Sequence, residues 1–282
     1  MIPAAFDYHA PTTVEEAQHL LESADDPKVL AGGQSLLSVL RMRLAAPDLL
    51  VDLGKIDELR GVRDAGDAIV IGAMTPHQAI VSDPLVAEHA LLLAKAATAI
   101  GDPQVRRLGT FGGSLAHADP AADLPACALA MNAEFEIAGS GGRRSVAAAD
   151  FFQDIFTTAI GEDEILTEVR IPKHTGWGAH YEKFVRTAQA WSIVSAAATV
   201  RVVSGSIAEA QVALANMGST PVRSQAVEQA LVGVAPTDEA VRAAVADIAE
   251  GTNPPTDING DANYRRHLAP VLARRAVLAA AG

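Results

Sequence analysis

Twice in this chain a Gly-Gly pair is followed at once by a polar residue and an apolar segment: AGGQSLL at 31–37 and TFGGSLA at 110–116. Glycine lacks a Cβ, so a pair of them marks backbone that must turn sharply or come close to something. Consecutive N–H groups at such turns form a concave anion site. Two of these loops converging would hold both phosphates of a pyrophosphate, and Asp123 would be placed to accept from a ribose hydroxyl.

The surroundings of the loops set the fold class. PTTVEEAQHLLES predicts a helix capped by Thr12 or Thr13, with Glu15 and Glu16 in its first turn. KVLAGG is a short strand into a glycine turn, QSLLSVLRMRL a helix, and LLVDLG a second buried strand. Residues 1–57 therefore read helix–strand–turn–helix–strand. AIVIGAMTP is a further strand, HALLLAKAATAIG a helix, and residues 101–133 a long segment punctuated by glycine and proline that enters a helix around Cys127. AEFEIAGSGGRRSVAAADFF is a hairpin turning at GSGG, and EILTEVRIP alternates as a strand. After HTGWG come three strand-like segments, AHYEKFVR, IVSAAATVRVV and IAEAQVALANMG, with VSGS as a tight turn. Residues 221–282 are mostly helical. The expected division is a domain over 1–175, in parts 1–57 and 58–175, and a second over 176–282; 282 residues suit two cores better than one.

Several function classes fall away. The formal charge of -12 and the absence of a Lys/Arg run exclude an ordinary nucleic-acid binder. One cysteine, Cys127, allows no internal disulfide and no iron–sulfur cluster held by this chain alone. No signal peptide is expected at MIPAAFDYHA, and no apolar run approaches the roughly 20 residues of a membrane helix. Neither the NTPase phosphate loop nor the dinucleotide G-x-G-x-x-G is present; GSGGRR has Arg144 where the last glycine belongs. GGSLA approaches the hydrolase nucleophile elbow around Ser114, but RRLGTF is a poor strand and His117 lies too close in sequence. The histidines lack zinc-ligand spacing.

VLAGGQSLL, DPQVRRLGTFGGSLAHADPAADLPA, EILTEVRIP and YEKFVR occur in an order and spacing that resemble the medium, FAD-binding subunits of the molybdenum hydroxylases, the xanthine dehydrogenase family. The likeness covers nearly the whole chain. Within the family, the opening MIPAAFDYHAPTTVEEA is most similar to the carbon monoxide dehydrogenase branch.

The resemblance implies an α+β fold: a two-part FAD domain of the vanillyl-alcohol-oxidase (PCMH) type, then a C-terminal three-stranded sheet with helices. It implies noncovalent FAD, a histidine beside the first glycine loop being absent. Lys28 and the run Leu30, Ala31, Gly32, Gly33, Gln34, Ser35 and Leu36 would form the first pyrophosphate loop. Thr110, Gly112, Gly113 and Ser114 would form the second, with serine at 114 where relatives often carry asparagine, and Ala118 would be a further cofactor-binding residue. Asp123 would bind ribose, Ile100 would lie beside the flavin, and Leu166 would pack on the adenine side. Lys183 would reach the flavin ring and Trp191 would lie near it. From the residues alone, Lys183 as a surface lysine pairing with Glu182 or another carboxylate, and Trp191 as core, stay open.

The implied activity is electron transfer within an oxidoreductase, with no catalytic acid or base on this chain. A large partner subunit would hold the molybdenum cofactor and a small one two [2Fe–2S] clusters, in a dimer of heterotrimers. FAD would pass electrons to an external acceptor, quinone or NAD. The expected location is cytoplasmic, at the inner membrane face through that acceptor. Carbon monoxide is the first substrate expected; aldehydes, purines and N-heterocycles stay open. Two other classes compete: an FAD-free scaffold subunit and a stand-alone FAD oxidase.

Overall fold

The computed structural model describes residues 2–282. Three main sheets follow one another along the chain, with a two-stranded one beside them. The first is parallel and small. β1 (Asp7–His9) and β2 (Pro27–Leu30) flank β3 (Leu49–Asp52), with α1 (Val14–Ser23) and α2 (Leu36–Arg41) as crossovers. Thr13 caps α1 by accepting from the Glu16 amide at 3.1 Å, and the Glu16 carboxylate reaches back to the Thr12 amide at 2.8 Å. Val14, Ala17 and Leu21 of α1 are buried against Leu49, Val51 and Leu53.

The second sheet is antiparallel, in the order β4 (Val62–Asp64), β5 (Ala68–Gly72), β10 (Ile165–Pro172), β6 (Glu134–Gly139), β7 (Gly142–Ala147). β6 and β7 form the expected hairpin, turning at Ser140–Gly141. Between β5 and β6 the chain inserts six short helices: α3 (His77–Ser82), α4 (Pro84–His89), α5 (Leu91–Thr98), α6 (Pro103–Leu108), α7 (Phe111–His117) and α8 (Asp123–Ala130). Residues 101–133 are thus more helical than their glycines and prolines suggest. Asp102 caps α6 through the Gln104 and Val105 amides at 2.8 and 2.9 Å, and Thr110 caps α7 through the Gly113 amide at 3.2 Å. After β7 come α9 (Ala148–Phe151) and a small hairpin, β8 (Phe152–Asp154) with β9 (Thr157–Thr158).

The third sheet carries the three expected strands, β11 (Gly178–Phe184), β12 (Val194–Val203) and β13 (Ser206–Ala215), and adds a two-residue fourth, β14 (Val222–Arg223). The β12–β13 turn uses Ser204 and Gly205, both at positive φ, as a tight hairpin on a twisted sheet requires. α10 (Gln225–Leu231), α11 (Asp238–Ala244) and α12 (Ala262–Ala281) follow, and α12 covers β11 and β12. The opposite face of this sheet presents Ala179, Ala197, Ala213 and Ala215 to the core built around α5 and α8. Alanine there lets the helices come close, and all eight residues of α8 are buried. With aromatics only 4% of the chain, small side chains at short separations supply the packing.

Candidate functional site

The two glycine loops meet. A Cβ on Gly32 would lie 2.2 Å from the Leu108 carbonyl oxygen and 2.6 Å from Gly109 Cα, so glycine at 32 is what allows the first loop to touch the second. Gly33 supplies the left-handed turn, at φ 70°. Around this junction opens a cleft of about 520 Å³, walled by residues 31–36, Gly109–Thr110, Gly113–Ser114, Ala116–His117, Ile100–Gly101 and 189–191. Along its first wall, the amides of Gly32, Gly33, Gln34 and Ser35 have no hydrogen-bond acceptor among the described residues. Buried backbone N–H groups almost always pair within the protein, whereas amides left open on a cleft wall are available to water or a ligand. Four in succession on the wall of a cleft of this volume fit an anionic ligand. That is the donor set a dinucleotide diphosphate needs, so the residues present fit FAD.

Most of the sequence-predicted residues line this cleft: Lys28, Ala31, Gly32, Gly33, Gln34, Ser35, Leu36, Ile100, Thr110, Gly113, Ser114, Asp123, Lys183 and Trp191. Four do not. Leu30 ends β2 with its side chain turned beneath Gly33. Gly112 faces away: its amide donates to the Ala73 carbonyl at 2.8 Å, and a Cβ there would lie 2.5 Å from Ala73 Cβ. Its glycine serves the docking of α7 on the end of β5. Ala118 ends α7 in the left-handed region, at φ 49°, and its carbonyl accepts from the Phe156 amide at 3.2 Å. Leu166 pairs with Ile137 inside the second sheet and is buried in the core.

Asp123 and Lys183 are joined on the cleft floor. Asp123 Oδ2 accepts from Lys183 Nζ at 2.8 Å and Oδ1 from the Tyr181 hydroxyl at 2.6 Å; Lys183 Nζ also reaches the Ala99 carbonyl at 3.2 Å. Burial pushes the Asp123 carboxyl above its ordinary range, against the pull of Lys183, and pushes the Tyr181 phenol well up. Lys183 is therefore held by the first residue of α8, whereas Glu182 pairs with His180 at 3.1 Å and Arg275 at 3.4 Å. Trp191 is not core: it stands 56% exposed at the rim. Its base is clamped, since Ser192 Oγ donates to the Ala121 carbonyl at 3.0 Å and Asn216 Nδ2 to the Ser192 carbonyl at 2.8 Å, while buried Arg265 donates to the Ile193 carbonyl.

Ser114 sits in the first turn of α7, and its hydroxyl makes no hydrogen bond to a histidine among the described residues; His117, at the helix's other end, stacks on Phe156 at 4.9 Å. No hydrolase arrangement is formed. Cys127 is sealed, its thiol donating to the Asp123 carbonyl at 3.4 Å, and burial raises its pKa well above the ordinary value. No group of three or more metal-ligating side chains forms among the described residues.

Several wall residues lie outside the predicted set, among them His77, Gly109, His117 and Gln189. Gly109 and His117 lie within the second motif, and that position was their signal. His77 and Gln189 carry none.

A dinucleotide-sized cleft between two glycine loops, on an α+β scaffold with a separate C-terminal sheet, defines a flavoprotein-type binding unit. Residues 4–174 match the family model described as the FAD binding domain in molybdopterin dehydrogenase, and residues 179–280 the CO dehydrogenase flavoprotein C-terminal domain. The chain belongs to this family of FAD-binding medium subunits of molybdenum hydroxylases, which are components of multi-subunit oxidoreductases. It is 41% identical to the carbon monoxide dehydrogenase medium chain of Hydrogenophaga pseudoflava, over 99% of this chain and 98% of that one. It is 36% identical to the nicotine 6-hydroxylase medium subunit of Paenarthrobacter nicotinovorans, over 98% and 97%. A solved structure of the Hydrogenophaga pseudoflava carbon monoxide dehydrogenase superposes with a TM-score of 0.96 at 42% identity, covering 99% and 98% of the two chains. Quinoline 2-oxidoreductase from Pseudomonas putida 86 superposes at 0.95 and 33% identity, covering 100% and 98%.

Proposed function

We propose that this chain is the electron-transfer subunit of an aerobic carbon monoxide dehydrogenase, with FAD bound in the cleft between the Gly32–Gly33 and Gly113–Ser114 loops. The observation that carries the reading is the run of four unpartnered amides from Gly32 to Ser35, set against the second loop. The 41% identity to a carbon monoxide dehydrogenase medium chain favours carbon monoxide over the substrates named for relatives at 34–36%. Residues 1–175 form the FAD-binding domain in this reading, with parts 1–57 and 58–175, and residues 176–282 the C-terminal domain.

Bound FAD supplies exchange between one-electron iron–sulfur donors on a small partner subunit and a two-electron external acceptor, quinone or NAD. The residues of this chain bind and orient it. The first-loop amides and the Ser114 hydroxyl hold the diphosphate. Ile100, Val105 and Leu36 supply apolar wall, and Trp191 covers the rim. Lys183, fixed by Asp123 and Ala99, places a positive charge on the floor, which favours a more electron-rich flavin. Molybdenum chemistry takes place on the large partner subunit. A dimer of heterotrimers is the assembly we expect, in the cytoplasm at the inner membrane face. No described helix is long and apolar enough to cross a membrane. The third sheet is covered by α12 on one face and by α8 and α5 on the other, which argues against a substrate pocket of the stand-alone oxidase kind.

The test is to purify the chain with its partner subunits, quantify released flavin and add carbon monoxide under an artificial electron acceptor. One FAD per chain and carbon-monoxide-dependent dye reduction support the reading. One FAD per chain with turnover of an aldehyde or N-heterocycle instead replaces the substrate alone. No FAD uptake by a folded complex leaves the scaffold role.

A further inference from the structure

His77 opens α3, and its main-chain amide donates to the Gly109 carbonyl at 3.0 Å, which ties the helix start to the second glycine loop. Its ring turns inward, 5% exposed, and forms part of the cleft wall. Gly109 makes room for it: a Cβ there would lie 2.9 Å from His77 Cδ2 and 3.0 Å from Nε2. Gly109 has ordinary backbone, with φ at −61°, so space is what requires glycine. This is also the residue that Gly32 touches. The imidazole therefore stands directly behind the point where the two loops meet.

Its two nitrogens differ. Nδ1 is sealed from solvent with no hydrogen-bond partner. Nε2 is not among the sealed unpartnered atoms, has no partner among the described residues, and lies on the ring edge toward Gly109. A neutral imidazole carries one N–H. A buried N–H without an acceptor is costlier than a bare lone pair, which assigns the proton to Nε2. Burial holds the pKa at about 4, so the ring is neutral at neutral pH. A neutral donor then stands on the wall of the same cleft that carries the free amides of Gly32 to Ser35.

We propose that His77 donates an Nε2–H hydrogen bond to the diphosphate of the bound dinucleotide, a contact from outside both glycine motifs. This rests on the FAD reading above. It gives the diphosphate a donor on α3, a third element besides the two loops, without adding a charge to the cleft.

The assembled complex, stripped of flavin, is titrated with FAD and with riboflavin for the wild type, H77L and H77Q, and the phosphorus NMR spectrum of bound FAD is recorded. Leucine keeps the bulk and removes the donor, while glutamine carries an N–H at similar reach. The expected result for H77L is FAD binding weakened on the order of ten- to a hundredfold, as for loss of a hydrogen bond to a charged group. A shifted phosphorus resonance, near-wild-type FAD binding in H77Q and unchanged riboflavin binding accompany it. Equal FAD affinity in wild type and H77L overturns the proposal, as does riboflavin binding that falls in parallel with FAD. If H77L does not assemble, H77Q is compared with H77N, whose shorter amide moves the donor away: weaker FAD binding in H77N supports the contact, and equal binding overturns it. A wild-type complex that takes up no FAD overturns the functional reading itself, a result distinguishable from all of these.

Discussion

Gly32 and Gly112 belong to look-alike motifs and do different things. Adding a methyl group at Gly32 pushes the first loop off the Leu108–Gly109 backbone on the cleft wall. Gly32→Ala is expected to keep the fold and lose FAD binding, checked by thermal unfolding beside a flavin titration. The same change at Gly112 drives Cβ into the Ala73 backbone under α7, so Gly112→Ala is expected to cost about 1–3 kcal/mol of stability by overpacking. His77 makes a pH prediction. The unfolded imidazole titrates near 6.5 and the folded one near 4, so between these values the unfolded chain holds the extra proton. The contribution is intact above pH 6.5 and is lost as pH falls toward 4, by about 3 kcal/mol at most. Denaturant unfolding of the flavin-free chain at pH 7 and pH 4.5 checks it, and H77L should flatten that part of the slope.

At the scale of elements, β11 is tied to the start of α8 through Lys183, Tyr181 and Asp123. Removing one partner of a buried ion pair strands the other charge, at about 3–5 kcal/mol. Lys183→Met should lower stability by that order, and adding Asp123→Asn should recover part of it, measured as a double-mutant cycle. The regular elements were legible where a local pattern was strong. Thr13 before Glu15 and Glu16 marked α1, and GSGG and VSGS marked two hairpins. β1 was missed because three exposed residues show no alternation, and β14 because it has two residues. α6 and α7 fall in the segment punctuated by glycine and proline: Pro103 stands at the start of α6, where proline is tolerated behind the Asp102 cap, and Gly112 and Gly113 mask a helix that Thr110 caps.

For the whole molecule, Cys127 is sealed within α8, which leaves the chain without an exposed thiol for a flavin bond among the described residues. Acid precipitation of the complex should therefore release the flavin into the supernatant and leave a colourless pellet. Flavin retained in the pellet would overturn noncovalent binding. The alanine face of the third sheet joins the C-terminal strands to the cleft's floor, so Lys183 and Trp191 reach a site whose glycine loops lie well over 60 residues earlier in the chain.

From the sequence alone came the two glycine loops, the family resemblance, and the division of labour implied by a single cysteine, which cannot ligate iron–sulfur clusters. These are local patterns or counts, and they need no knowledge of what lies across the core. The tertiary structure decided which glycine faces the cleft and which faces Ala73, that Lys183 pairs with Asp123 and not Glu182, and that His77 stands behind Gly109. Each of those depends on a close approach between segments distant in the chain, and separations of a few ångströms across a packed core are set by all the elements together.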